Sequence, residues 1–143
     1  MEQVKSKGSV LIVEDDRLLS LVTERLLEKL GHEIAGKAVD GMSAVEMVRE
    51  LQPDVVLMDI SLEGEMSGVD ALKEIRSFSD VPVIILSGSS SRSIVEDVRS
   101  LEISDFLVKP VTADDLVGPV RRALQPHSAS ASSRHSQSFQ RAI

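Results

Sequence analysis

The sequence has no cysteine, no tryptophan and no tyrosine, and three phenylalanines are its only aromatic residues. Without cysteine there are no disulfides, thiolate metal sites or cysteine nucleophiles, which agrees with a reducing cytosol. With so few aromatics, the core must be built from Val, Ile and Leu. Basic residues are in the minority, 16 Lys and Arg against 23 Asp and Glu, and the net charge is −7. Residues 127–143 contain Arg134 and Arg141 and no acid, so the rest of the chain stands at −9. An acidic domain is a poor partner for nucleic acid, and no direct nucleic-acid contact is expected. No apolar run approaches the roughly 18 residues that a membrane span needs, and the polar start lacks a secretory signal's apolar segment. A cytoplasmic protein without membrane insertion is expected.

The apolar residues that are present arrive in short blocks, which favours an α/β fold of one domain. Val10–Val13, Ile34–Val39, Val55–Met58, Val81–Leu86 and Asp105–Val108 read as strands. Helical periodicity lies between them. Asp16 can cap a helix with Leu18, Leu19, Val22, Leu26, Leu27 and Leu30 inward, ended by Gly31. Ser43–Leu51 places Ala44, Val45, Met47, Val48 and Leu51 inward. Gly68 opens a helix bearing Val69, Leu72, Ile75 and Phe78, a fourth spans about Ser91–Leu101, and Thr112 with Asp115 makes a capping box for the fifth. Gly118-Pro119 inside that last helix should kink it or delay its start. Strict β/α alternation implies a parallel sheet covered on both faces. Residues 1–8 form a polar lead, 9–125 the domain, and 126–143 a serine-rich tail expected to be disordered.

Three strands end in chemically useful residues. Val10–Val13 runs into Glu14-Asp15-Asp16, Val55–Met58 into Asp59, and Phe106–Val108 into Lys109-Pro110; Ser87 ends a fourth. Open α/β sheets bind ligands at the carboxyl ends of their strands. Neighbouring carboxylates suit a hard cation such as Mg²⁺, Asp59 could be a nucleophile, and Lys109 and Ser87 could hold phosphoryl oxygens. Together they describe phosphoryl transfer to a carboxylate. Singly each has an ordinary reading: an acid after a strand is commonly a helix cap, as Asp16 is expected to be, Ser-Gly is turn chemistry, and Lys-Pro is a common strand exit.

The combination of VLIVEDD, VVLMDIS, VIILSG and FLVKP resembles the receiver domain of bacterial two-component response regulators, over roughly Ser9 to Gln125. The resemblance implies a flavodoxin-like, doubly wound (βα)5 fold with strand order 2-1-3-4-5. It makes Asp59 the phospho-acceptor and Lys109 and Ser87 its catalytic partners. Glu14, Asp15, Asp59 and the Ser61 backbone carbonyl become Mg²⁺ ligands. Ser87 and Phe106 become the switch pair, and Lys109-Pro110 a cis peptide. Phe106 is equally well read as a core residue. Three departures stand out: the ISLEGEMSG loop reaches Gly68 one residue late and has Glu63 where a proline is usual, Gly88 replaces an alanine, and Gly118-Pro119 interrupts the last helix.

The function so implied is a stand-alone receiver, since no output domain follows in the sequence. It takes phosphate from a sensor histidine kinase or a histidine phosphotransfer protein and signals to a downstream protein target. Its signalling surface is formed by the fourth helix, fifth strand and fifth helix, where homodimerisation is also open. Such a protein catalyses only its own phosphorylation and dephosphorylation and is no enzyme otherwise. One competing reading is an adaptor or phosphate sink acting through its surface or tail. Another is a Mg²⁺-dependent phosphatase with an aspartate nucleophile; against it, Ser61 stands where such enzymes place a second Asp.

Overall fold

In the computed structural model, residues 8–62, 64–88 and 92–125 are described, with the backbone alone for 92–94. The lead before Gly8, the tail, Glu63 and Ser89 lie outside the described residues. The strands are β1 (Ser9–Val13), β2 (Glu33–Ala38), β3 (Val55–Asp59), β4 (Val83–Ser87) and β5 (Asp105–Val108). They form one parallel sheet in the order β2-β1-β3-β4-β5. The helices are α1 (Arg17–Lys29), α2 (Gly41–Leu51), α3 (Gly68–Arg76), α4 (Arg92–Arg99) and α5 (Ala113–Ala123).

Successive strand residues point to opposite faces of a sheet, and the apolar blocks divide accordingly. Leu11, Val13, Val56, Met58, Val83 and Ile85 pack with Val48 of α2, Leu72 and Ile75 of α3 and Val98 of α4. Val10, Ile12, Val55, Leu57, Ile84 and Leu86 pack with Leu27 of α1 and with Leu116 and Val120 of α5. Strands buried on both faces explain the continuous apolar runs. The order reverses between β1 and β3, so the crevice of the sheet opens at their carboxyl ends.

Side-chain caps fix where the helices begin. Asp16 accepts from the amides of Leu18 and Leu19, and Thr112 forms a capping box with Asp115. Asp40 with Ser43 and Ser67 with Asp70 form two more boxes that start α2 and α3. These satisfy amides the first helical turn leaves without partners.

Several sequence expectations need correction. Leu18, Leu19 and Val22 of α1 are exposed, at 68%, 43% and 47%, and only Leu27 of that apolar series is fully buried. Helical spacing groups side chains on one face without saying which way it turns, and α1 lies over β1 and β2 with Ser20 and Leu27 buried and Leu26 and Leu30 partly so. Leu51, expected inward, is exposed at the end of α2, and Val39 lies beyond β2. Phe78 lies past the end of α3 and Val81-Pro82 precede β4, although the Pro82 carbonyl still accepts from the Val56 amide. Gly118-Pro119 neither ends α5 nor delays it: the helix runs unbroken from its Thr112 cap, with Pro119 buried. A proline costs a helix one backbone hydrogen bond, while the apolar ring here fills the buried face beside Leu116 and Val120.

Candidate functional site

The ladder register brings the strand ends together. Val13 pairs with Met58, Asp59 with Leu86, and Ser87 with Val108, so Glu14, Asp59, Ser87 and Lys109 reach one edge of the sheet. Glu14, Asp59 and Ser87 are buried, Asp59 at 3% exposure and Ser87 at 1%. A buried carboxylate must be paired or hydrogen-bonded. Asp59 accepts from the Ser61 amide at 2.8 Å through Oδ1 and from Lys109 Nζ at 2.6 Å through Oδ2. Glu14 accepts from Lys109 Nζ at 3.3 Å through Oε1 and from the Asp16 amide at 3.1 Å through Oε2. Lys109 therefore bridges two strand-end acids, and its own amide donates to the Ser87 carbonyl at 2.7 Å. The Lys109-Pro110 peptide is cis, as the resemblance implied.

The electrostatics follow from this crowding. Burial raises the pKa of Glu14, and the Asp59 charge adds to that effect; the Asp16 amide and the Lys109 charge oppose it without prevailing. Burial pulls the Lys109 ammonium down, but its bonds to and the charges of Asp59 and Glu14 outweigh that and hold it above the ordinary lysine range.

Glu14, Asp15 and Asp59 can each place a carboxylate oxygen within 4.8 Å of the others. Three carboxylates against one ammonium leave a local charge that a divalent cation would balance, and an all-oxygen donor set is what Mg²⁺ prefers. The residues present fit that ion, with Ser61 beside Asp59 as a further oxygen donor. Asp16 caps α1, its Oδ1 accepting from two amides, and it stands outside the carboxylate cluster. Phe106 is half-buried on β5 and packs against the α2/α3/α4 core. Around the site, a Cβ at Gly68 would lie 2.7 Å from the Ile60 carbonyl oxygen, so glycine there lets the start of α3 close over the exit of β3. At Gly88 an added Cβ meets nothing within 4 Å.

A family model for the response regulator receiver domain matches residues 10–121. The chain belongs to the response regulator receiver family. Among its relatives is the transcriptional regulatory protein PdtaR of Mycobacterium tuberculosis, 36% identical over 115 residues, which are 80% of this chain and 56% of that protein. The chain thus spans about half the length of that relative. The chemotaxis protein CheY of Thermotoga maritima is 38% identical over 102 residues, covering 71% of this chain and 84% of CheY. Among solved structures, the signal receiver domain of a modulated diguanylate cyclase from Desulfovibrio desulfuricans superposes with a TM-score of 0.76 at 32% identity. It covers 82% of this chain and 93% of that one.

Two features of this receiver were not read from sequence. The Lys109–Glu14 contact joins residues at the ends of strands that do not pair with each other. The outward face of α1 lies at the same sheet edge as the acids, and so does Met42, which is 58% exposed at the start of α2. Among the described residues no helix is long and apolar enough to cross a membrane.

Proposed function

We propose that this receiver accepts a phosphoryl group on Asp59 from a phosphohistidine of a sensor kinase or phosphotransfer protein, in a Mg²⁺-dependent reaction. The observation that carries this reading is the buried Asp59 carboxylate bound by Lys109 beside two further acids. The Asp59 carboxylate oxygen attacks phosphorus, the P–N bond breaks, and its electron pair returns to the imidazole as the donor departs. Lys109 exchanges its bond to Asp59 for one to a phosphoryl oxygen, and the Ser87 hydroxyl donates to another. A divalent cation held by Glu14, Asp15, Asp59 and the Ser61 carbonyl would neutralise charge on the transferring group.

Drawing Ser87 toward the phosphoryl group would let Phe106 repack, and that changes the surface of α4, β5 and α5 presented to a downstream protein. The exposed leucines of α1 beside the acidic pocket favour a protein phosphodonor, which needs a docking surface, over a small molecule. We place the reaction in the cytoplasm, with which a cysteine-free chain agrees.

The test is incubation with Mg²⁺ and acetyl phosphate, followed by intact-mass analysis. A one-phosphoryl mass gain, lost on removing Mg²⁺ and in Asp59→Asn, is expected; no gain in the wild type would sink the reading. Steady hydrolysis of small phosphate esters would instead favour a phosphatase.

A further inference from the structure

A cleft of about 740 Å³ lies at the edge of the sheet opposite the acids. Its walls come from the residues that precede the strands, among them Pro53-Asp54 before β3 and Val81-Pro82 before β4. Arg49 sits 4.0 Å over the Phe78 ring within it. The volume falls within the usual range of ligand pockets, roughly 300–1,000 Å³. None of its lining residues belongs to the phosphorylation site.

Both ends of the described chain meet at this cleft. Gly8 lines it and so do Ala123, Leu124 and Gln125. Gly8 is packed so closely on Leu124 that a Cβ there would lie 2.6 Å from a Leu124 methyl. Gln125, the last described residue before residues 126–143, therefore lies on the wall of the cleft. Fully extended, 18 residues span about 60 Å, ample to fold back across it. A tethered segment of this kind faces its site at an effective concentration in the millimolar range.

The chemistry of the two is complementary. The cleft offers the Asp54 carboxylate, which accepts from the Ser9 amide and hydroxyl through Oδ2 alone, and the exposed Asp80 carboxylate, with Arg49 in the lining and Arg76 behind Ser79 as the nearby cations, and apolar surface from Phe78 and Val81. The segment carries Arg134 and Arg141, Phe139 and Ile143, and no acid, against a remaining chain at −9.

We propose that residues 126–143 dock in cis into this cleft, Phe139 supplying apolar contact and Arg134 and Arg141 facing Asp54 and Asp80. The tail is then held on the edge opposite Asp59. It leaves the acidic pocket and the α4–β5–α5 surface clear, and becomes available to other partners only on displacement.

A chain without cysteine makes the test clean. Ser138→Cys in the full chain carries one nitroxide, and the amide signals of Arg49, Gln52, Asp54, Phe78, Ser79 and Val81 report its proximity. Selective loss of their intensity is expected. It should be reversed in Arg134→Glu/Arg141→Glu and weakened by salt, but unchanged by Asp59→Asn, which separates this contact from phosphorylation. Intensity loss absent from the cleft or spread evenly over the surface would overturn the proposal, leaving the cleft to residues 1–7 or another partner. Equal loss in a mixture of ¹⁵N-labelled unmodified protein and unlabelled nitroxide protein would also overturn it, by showing a second copy as the occupant.

Discussion

Glu14 is both a candidate metal ligand and a destabilised acid. Burial next to Asp59 raises its pKa above the unfolded value, so the folded state holds its proton more readily than the unfolded chain does. The resulting penalty is present at pH above the folded pKa and is relieved as pH falls through it. Glu14→Gln keeps a polar side chain and removes the charge, and in the absence of Mg²⁺ should stabilise the domain by about 1 kcal/mol near neutral pH. Urea unfolding across pH checks this, since the advantage must shrink as acid protonates the wild-type Glu14. Lys109 has the opposite sign. Its raised pKa means that its contribution is complete below the unfolded lysine value and is lost only as pH rises through the folded one. The two effects therefore separate along the pH axis. Asp59, Ser87 and Lys109 could be read from sequence because each directly follows or ends an apolar run. The bridge from Lys109 to Glu14 spans β1 and β5, which are separated in the sheet by β3 and β4, and no local spacing encodes it.

Among the elements, α1 and the connection between α4 and β5 carry most of what sequence did not reveal. The outward turn of Leu18, Leu19 and Val22 supports the proposed docking of a protein phosphodonor on α1, and that proposal separates two kinds of phosphodonor. Leu18→Glu changes a side chain that is 68% exposed, so it should shift stability by no more than about 0.5 kcal/mol. Phosphotransfer from a protein phosphohistidine should slow about tenfold or more if this side chain is an interface anchor, while labelling by acetyl phosphate stays at the wild-type rate. Equal effects on both donors would remove α1 from the docking surface. At the other connection, Arg76 donates from Nε to the Leu101 carbonyl, from Nη1 to that of Ser79 and from Nη2 to that of Glu102, at 2.8, 3.1 and 3.1 Å. Glu102 has a φ of 60°, a left-handed backbone that side-chain-bearing residues seldom adopt. One guanidinium thus ties the end of α3 to the turn that enters β5. Arg76→Met keeps the apolar stem and leaves three carbonyls without their donor, at a cost of about 2–3 kcal/mol. Hydrogen exchange should quicken first at Leu101–Ser104. The arginine was invisible in sequence because its partners are main-chain carbonyls, which carry no residue identity. By contrast the strand blocks and the Asp16 and Thr112 caps were legible, because buried parallel strands and helix starts impose local composition.

On the scale of the molecule, the sheet concentrates like charge at one edge, and folding must hold those acids together. The fold gains from any cation that binds the native site and not the unfolded chain, by an amount that grows with the logarithm of its concentration. At a hundred times its dissociation constant the gain is about 2.7 kcal/mol. Mg²⁺ should therefore raise the unfolding midpoint of the wild-type protein, and monovalent salt at matched ionic strength should not reproduce the rise. Asp15→Asn should lose most of the gain, since it removes one of the three clustered carboxylates. Glu14→Gln is the more discriminating variant. It should start above the wild type without Mg²⁺, for the charge reason given by its burial, and gain little on titration, so the two stability curves should cross as Mg²⁺ is added. A helix cap or loop acid would produce neither the initial advantage nor the crossing. Parallel curves would mean that Glu14 serves only as the counter-charge to Lys109 and takes no part in holding the metal.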